Sequence, residues 1–95
     1  MGIEEILGAK REEILRIAAK HGVTSIRVFG DVARGEGSPD SEIDFLIEAG
    51  AATTPWFPGG LVADLEDLLG RRVHIAFANA LPAYAEHIEQ EAVTL

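Results

Sequence analysis

The chain contains no cysteine and no long apolar run. Without cysteine it can have no disulfide framework, no thiolate metal site and no cysteine nucleophile, which fits a reducing cytoplasm. No apolar run approaches the roughly 18 residues that a membrane-spanning helix needs, and residues 1–5 lack the basic-then-apolar pattern of a signal peptide. We therefore expect a soluble cytoplasmic protein that does not contact a membrane.

Basic residues are also scarce. Eight Lys and Arg side chains against sixteen Asp and Glu give a net charge of −8, and residues 35–95 carry two basic and eleven acidic side chains. An electrostatic field of this sign repels a nucleic-acid backbone, so we expect no direct binding of DNA or RNA. An anionic ligand would have to bring a cation with it.

The 95 residues are enough for one small domain, which we expect to span residues 1–95. Hydrophobic residues make up 47% of the chain and charged residues 25%, an ordinary globular composition. The spacing of apolar residues predicts helices over 3–21, 61–69 and 82–92, a helical turn over 31–35, and strands over 23–29, 42–48 and 72–77. This order predicts an α/β fold whose small sheet is covered by helices on one face and free on the other.

The second predicted strand alternates between two kinds of side chain. Its apolar residues at positions 43, 45 and 47 would share one face, while Glu42 and Asp44 would share the other. Paired carboxylates on one strand face can hold a hard divalent cation jointly with nucleotide phosphates, although alternating acids are also typical of a solvated strand face. If the third strand lies next to the second, His74 would join the two acids.

A glycine ends the first predicted strand. Gly30 has no side chain to keep a ligand from the backbone, and the amides of the turn after it can point at phosphate oxygens. The guanidinium of Arg34 adds several N–H donors for a phosphate close by. Alternatively, Arg34 pairs with Glu36 or Asp40 and only shapes the loop. The turn and the acidic strand together predict a metal-nucleotide site, whereas either feature alone is more often structural.

Residues 29–35 read Phe-Gly-Asp-Val-Ala-Arg-Gly, and after six further residues the chain continues Glu-Ile-Asp-Phe-Leu-Ile. This order resembles the nucleotidyltransferase signature Gly-Ser-x-Ala-Arg-Gly followed by Ser-Asp-x-Asp-Leu of the DNA polymerase β superfamily. The chain length, the Leu-Leu-Gly-Arg-Arg-Val segment and the Glu-Ala-Val-x-Leu ending are similar to those of minimal nucleotidyltransferases in particular.

The resemblance implies a small mixed β-sheet with flanking helices, the nucleotidyltransferase fold. It also implies transfer of AMP from ATP to a protein hydroxyl, with Mg²⁺ as cofactor and Mn²⁺ as an alternative ion. Members of this family frequently pair with a HEPN ribonuclease toxin and act as its antitoxin, commonly by adenylylating a tyrosine of the partner. An alternative for this chain is a catalytically weak module of the same fold that neutralises a toxin by forming a complex, its acidic half meeting a basic groove.

The resemblance also assigns roles to residues. Catalytic positions fall on Glu42, Asp44 and His74, and the first two of these would also hold the metal. The nucleotide-binding positions are Gly30, Asp31 and Arg34.

Three of these positions depart from the family pattern. Asp31 stands where the family has serine, Glu42 where it has the first aspartate, and His74 where it has a third aspartate. His74 therefore has three interpretations: a structural strand histidine, a ligand for a softer metal or general base, or the mark of a decayed catalytic site. Asp31 could also replace the lost third carboxylate from the other strand.

The remaining aromatic and histidine side chains are expected to be structural. Trp56 and Phe57 either cover the core or form a partner-facing patch. Tyr84 and Ile88 are expected in the core. His21 and His87 are expected at the surface.

Overall fold

The computed structural model describes all 95 residues, which form one four-stranded sheet with helices packed against it. None of the helices is long and apolar enough to cross a membrane. The strands are β1 (Val23–Phe29), β2 (Ile43–Ala49), β3 (Val73–Phe77) and β4 (Val93–Thr94). The helices are α1 (Ile3–Leu7), α2 (Arg11–Lys20), α3 (Gly30–Ala33), α4 (Gly59–Leu69) and α5 (Glu86–Glu91).

The sheet is mixed, and its strand order is β3-β2-β1-β4. β1 runs antiparallel to both β2 and β4, whereas β2 and β3 are parallel and are connected through α4. The expected mixed sheet with flanking helices is therefore confirmed. The sequence predicted three strands, and β4 was missed because its two residues are too short to show an alternating pattern.

The main core lies on the face of β2 that the alternation predicted. Ile43, Phe45 and Ile47 are fully buried in one cluster with Leu61 and Leu65 of α4. The prediction that the opposite face is free was only partly right, because Leu46 on that face is also fully buried. Leu46 thus divides the accessible part of this face into Asp44 at the beginning of β2 and Glu48 near its end.

Two helix predictions need correction. The helix expected over 3–21 is divided into α1 and α2 by a 3₁₀ turn, Gly8–Lys10. The turn begins at a glycine, and a glycine inside a helix is about 1 kcal/mol less favourable than an alanine. The helix expected over 82–92 is only α5, preceded by a 3₁₀ turn, Ala83–Ala85. Asn79, a residue type that often caps a helix, lies in a separate 3₁₀ turn, Ala78–Ala80, and does not cap α5.

The aromatic side chains are divided between core and surface. Phe57 packs edge-on against Phe77 with ring centroids 6.0 Å apart, while Trp56 is 82% exposed. The prediction that Tyr84 lies in the core is wrong, since its side chain is 87% exposed, whereas Ile88 is half-buried. The helical spacing of Tyr84 and Ile88 suggested a common buried face, but Tyr84 precedes α5.

His21, expected at the surface, is instead buried between α2 and α4. Its Nε2 atom lies 2.7 Å from Oδ2 of Asp64 and its Nδ1 atom 3.1 Å from Oγ1 of Thr54. The hydrogen bond from His21, together with one from Lys20, lowers the pKa of Asp64. Both ring nitrogens are therefore satisfied in the interior, which is the condition for burying an imidazole. His87, also expected at the surface, is exposed as predicted.

We expect His21→Ala to lower the free energy of unfolding by about 2–4 kcal/mol, because it leaves Asp64 and Thr54 without their shared partner and creates a void. Chemical denaturation at neutral pH measures this difference. The matched control is His87→Ala, an exposed histidine whose loss should stay within about 0.5 kcal/mol. Equal effects of the two substitutions would contradict the structural role of His21.

Candidate active site

The candidate site begins where β1 ends. Gly30, the first residue of α3, has a φ of +75°, and a Cβ atom built on it would overlap the Oδ2 atom of Asp44. Asp44 is paired across the sheet with Phe29 on one side and with His74 on the other. The glycine turn and the acidic strand are therefore in direct contact.

The two predicted carboxylates line the same cavity. Glu42 lies in the loop just before β2, and Arg71 fixes this loop by donating to the carbonyl oxygens of Ser38 and Ser41 at 2.7 and 3.2 Å. Glu42 and Asp44 line an open cavity of about 450 Å³. The other residues that line it are Phe29, Gly30, Asp31, Arg34, His87, Ile88 and Glu91.

Asp44 lies in an unfavourable electrostatic environment for an unaccompanied carboxylate. Burial raises its pKa, the His74 imidazole lowers it in part, and the negative charges of Glu42 and Asp31 raise it again. Its side chain is 22% exposed. A cation at this end of the cavity would relieve the repulsion among the three acids.

His74 reaches the site from the neighbouring strand. Its Nδ1 atom lies 3.3 Å from Oδ1 of Asp44, and its ring packs edge-on against Phe29 with centroids 6.2 Å apart. The side chain is 59% exposed and does not line the cavity itself. Its contact with the site therefore runs through Asp44 and Phe29, which both line the cavity.

All three nitrogens of the Arg34 guanidinium contact acidic side chains of the same chain. The guanidinium contacts Glu36 through Nε at 2.6 Å, Asp31 through Nη2 at 2.6 Å and Glu91 through Nη1 at 3.1 Å. Bonds to Glu36 and then Glu91 raise the pKa of Arg34 above its ordinary value. The predicted pairing with Glu36 is present, whereas a bond to Asp40 is not.

Glu91 is an acidic site residue that the sequence analysis missed, as it missed Phe29, His87 and Ile88 of the cavity lining. Its Oε1 atom accepts a hydrogen bond from the backbone N–H of Gly30 at 2.9 Å, and its carboxylate also accepts from Arg34. Glu91 lies more than fifty residues from the turn in sequence, so no local spacing connects the two. Only its position in the Glu-Ala-Val-x-Leu ending offered a signal.

The donor set suits a hard divalent ion that also takes ligands from water and phosphate. Glu42 and Asp44 line the cavity with carboxylates, whose oxygen atoms are the ligands that Mg²⁺ and Mn²⁺ prefer. The chain assembles no group of three or more His, Asp or Glu side chains able to hold a metal by themselves. Mg²⁺ usually binds through one or two carboxylates with water and substrate phosphates, so two carboxylates beside an open cavity fit this mode.

Comparisons with known proteins show the family to which the chain belongs. The nucleotidyltransferase domain family matches residues 11–94. "Putative protein adenylyltransferase MJ0435" of Methanocaldococcus jannaschii is 35% identical over 94 residues, covering 98% of this chain and 97% of that protein. "Protein adenylyltransferase MntA" of Thermococcus cleftensis is 35% identical over 79 residues, covering 83% of this chain and 77% of that protein.

Solved structures show the same fold. A structure described as that of a "putative minimal nucleotidyltransferase" superposes with a TM-score of 0.83 at 40% identity, covering 100% of this chain and 97% of the other. A chain of the MntA-HpeT toxin-antitoxin pair superposes with a TM-score of 0.70 at 16% identity, covering 90% of this chain and 71% of the other, which is a likeness of fold. The chain belongs to the nucleotidyltransferase domain family.

Proposed function

We propose that this chain transfers AMP from ATP to a hydroxyl group of a partner protein and thereby acts as an antitoxin. The observation that carries the proposal is the convergence of Gly30, Glu42 and Asp44 on one open cavity in a chain of this family. The relatives named as protein adenylyltransferases support the choice of a protein acceptor. ATP is a cytoplasmic nucleotide, so the proposed location is the cytoplasm.

In the proposed reaction, the acceptor oxygen forms a bond to the α-phosphorus while the bond to the leaving pyrophosphate breaks, and the hydroxyl proton is lost to a base or to water. Mg²⁺, or Mn²⁺ in its place, would be held by Glu42 and Asp44 and would supply charge neutralisation and orientation of the triphosphate. Gly30 lets the phosphates approach the backbone closely, and His74 orients the carboxylate of Asp44. Catalysis would then rest mainly on positioning.

The proposed partner is a HEPN-type ribonuclease toxin. One chain of the MntA-HpeT toxin-antitoxin pair has the same fold as this chain, and this likeness supports a toxin as the partner. The excess of acidic residues in positions 35–95 also suits a basic, RNA-binding surface. Nucleic acid itself is not proposed as a ligand, since the same charge opposes it.

The direct test incubates the purified chain with ATP labelled at the α-phosphate, Mg²⁺ or Mn²⁺, and the proposed toxin partner. The proposal is supported if the toxin becomes labelled and if the label is lost when one tyrosine or other hydroxyl residue of the toxin is replaced. A stable complex that neutralises the toxin without any transfer of label would reject the enzymatic function.

That second outcome defines the alternative, a binding module that silences a toxin by covering it. The observation that favours it is the contact of Arg34 with three carboxylates of its own chain, together with the departures at positions 31, 42 and 74. The pair of substitutions Asp31→Ser and His74→Asp separates the two cases. If the site has decayed, the pair should raise labelling severalfold, whereas a fall in existing labelling shows that the residues present are adapted to the reaction.

A further inference from the structure

Glu91 occupies two hydrogen-bond donors, the Gly30 N–H and the Arg34 guanidinium, in the cavity that is proposed to take the triphosphate. The backbone N–H of Gly30 donates to its Oε1 atom at 2.9 Å. Nη1 of Arg34 lies 3.3 Å from Oε1 and 3.1 Å from Oε2. A single carboxylate therefore bridges the glycine turn and the arginine.

Glu91 differs from the other two carboxylates around Arg34. Its side chain is 23% exposed, whereas those of Asp31 and Glu36 are 57% and 63% exposed. Like Asp31 it lines the cavity, but it also accepts a hydrogen bond from a backbone amide of the turn. Partial burial acts to raise the pKa of Glu91, but the Gly30 N–H and the Arg34 guanidinium lower it overall, which keeps the side chain anionic at neutral pH.

A carboxylate and a phosphate oxygen compete for the same donors. Backbone N–H groups and guanidinium forks bind either anion, and both form charge-assisted hydrogen bonds of similar geometry. As long as Glu91 accepts from both donors, a triphosphate entering the cavity meets an occupied, negatively charged position. Binding through the Gly30 amide and Nη1 of Arg34 then requires the Glu91 carboxylate to move away.

We propose that Glu91 is an affinity-determining residue of the nucleotide site, an intramolecular competitor that the triphosphate displaces from Gly30 and Arg34. This inference rests on the proposed function. Glu91 is the last residue of α5, and β4 begins two residues later. Displacement of the carboxylate therefore also releases a contact that holds the end of α5 against the turn.

The test measures the dissociation constants of two probes in the presence of Mg²⁺: a non-hydrolysable ATP analogue and inorganic tripolyphosphate, which has no base or sugar. Glu91→Gln keeps the size of the side chain and removes its charge, and we expect both probes to bind about tenfold more tightly. Glu36→Gln, which frees only Nε of Arg34, should give a smaller gain. Glu89→Gln is the matched control, because Glu89 lies on the same helix, pairs with Arg27 and does not line the cavity.

A second measurement uses the wild-type chain and does not depend on how well a variant folds. Addition of tripolyphosphate with Mg²⁺ should shift both the Gly30 amide resonance and the Glu91 side-chain carboxyl resonance in NMR spectra. A Gly30 shift without any Glu91 shift would overturn displacement.

The outcomes separate this inference from the function on which it rests. If the wild type binds the probes and Glu91→Gln binds them with equal or lower affinity, the role of Glu91 is rejected. The nucleotide site then stays in place. A similar gain with Glu89→Gln would assign the effect to net charge and also reject it. If neither probe binds to the wild type or to any variant, both the inference and the proposed function fail.

Discussion

Asp44→Asn is expected to reduce AMP transfer by more than about 100-fold while the protein remains folded. Replacement of the partners that merely orient metal ligands typically costs 10–100-fold, and Asp44 is proposed to be a ligand itself. Labelling of the toxin from α-labelled ATP measures the loss. The asparagine has nearly the same size, so the cross-strand contacts of Asp44 with Phe29 and His74 should be kept.

The same substitution should leave the melting temperature of the metal-free protein unchanged or raise it. The folded pKa of Asp44 is raised, first by burial, so the folded chain binds a proton at a higher pH than the unfolded chain does. The free energy of unfolding therefore increases as the pH falls through the window between the ordinary and the raised pKa, and Asp44→Asn should remove this increase. Thermal melts from pH 7 to pH 4 with a chelator measure both effects.

Glu48→Gln is the matched control for Asp44→Asn. Glu48 is an exposed acid on the same strand, β2, but it lies outside the cavity. Its substitution should change neither labelling nor stability by a measurable amount. Loss of labelling by both variants would show that the general negative charge of the strand, rather than Asp44, matters for transfer.

Gly30→Ala is expected to abolish nucleotide binding and to lower the free energy of unfolding by about 3 kcal/mol or more. The left-handed backbone at φ +75° costs an alanine roughly 1–2 kcal/mol. The new Cβ would in addition overlap the carboxylate of Asp44, which has to move out of the site. Denaturation curves and titration with the ATP analogue measure the two losses.

Gly35 provides the control for the backbone part of this effect. It has a φ of +78° in the same turn, but a Cβ built on it meets no atom within 4 Å. Gly35→Ala should therefore lower the free energy of unfolding only by the cost of the left-handed backbone, about 1–2 kcal/mol, and should keep nucleotide binding. The double variant Gly30→Ala with Asp44→Ala should be more stable than the sum of the two single effects predicts, because the alanine at 44 removes the overlap. Strict additivity would contradict the proposed contact.

The sequence was informative where a pattern is local. Alternation in β2 predicted that Ile43, Phe45 and Ile47 enter the core and that Asp44 faces the other way, since successive residues of a strand point to opposite faces, but it did not predict the burial of Leu46. Gly30 could be placed at the end of β1 because a glycine after a strand allows a turn that other residues resist. The expected adjacency of Asp44 and His74 held because β2 and β3 are neighbours.

Other features could not be predicted because their partners are distant in the chain. His21 reads as a polar residue at a helix end, and it is buried only because Thr54 and Asp64 arrive to satisfy both ring nitrogens. Tyr84 was expected to pack with Ile88, but the helix that would have aligned them begins at Glu86. The two residues of β4 form a strand only because they pair with Arg27 and Val28 of β1.

The amino-acid sequence by itself determined the acidic character of the chain, the inward face of β2 and the residue types of a metal-nucleotide site, because these depend on composition and on the period of a strand. The tertiary structure decided how those residues meet. It placed the Asp44 carboxylate against Gly30, and it brought Glu91 from the end of α5 onto the same turn. Hydrogen bonds and charge repulsion act over a few ångströms in space, so the state of the site depends on contacts that no spacing along the chain reveals.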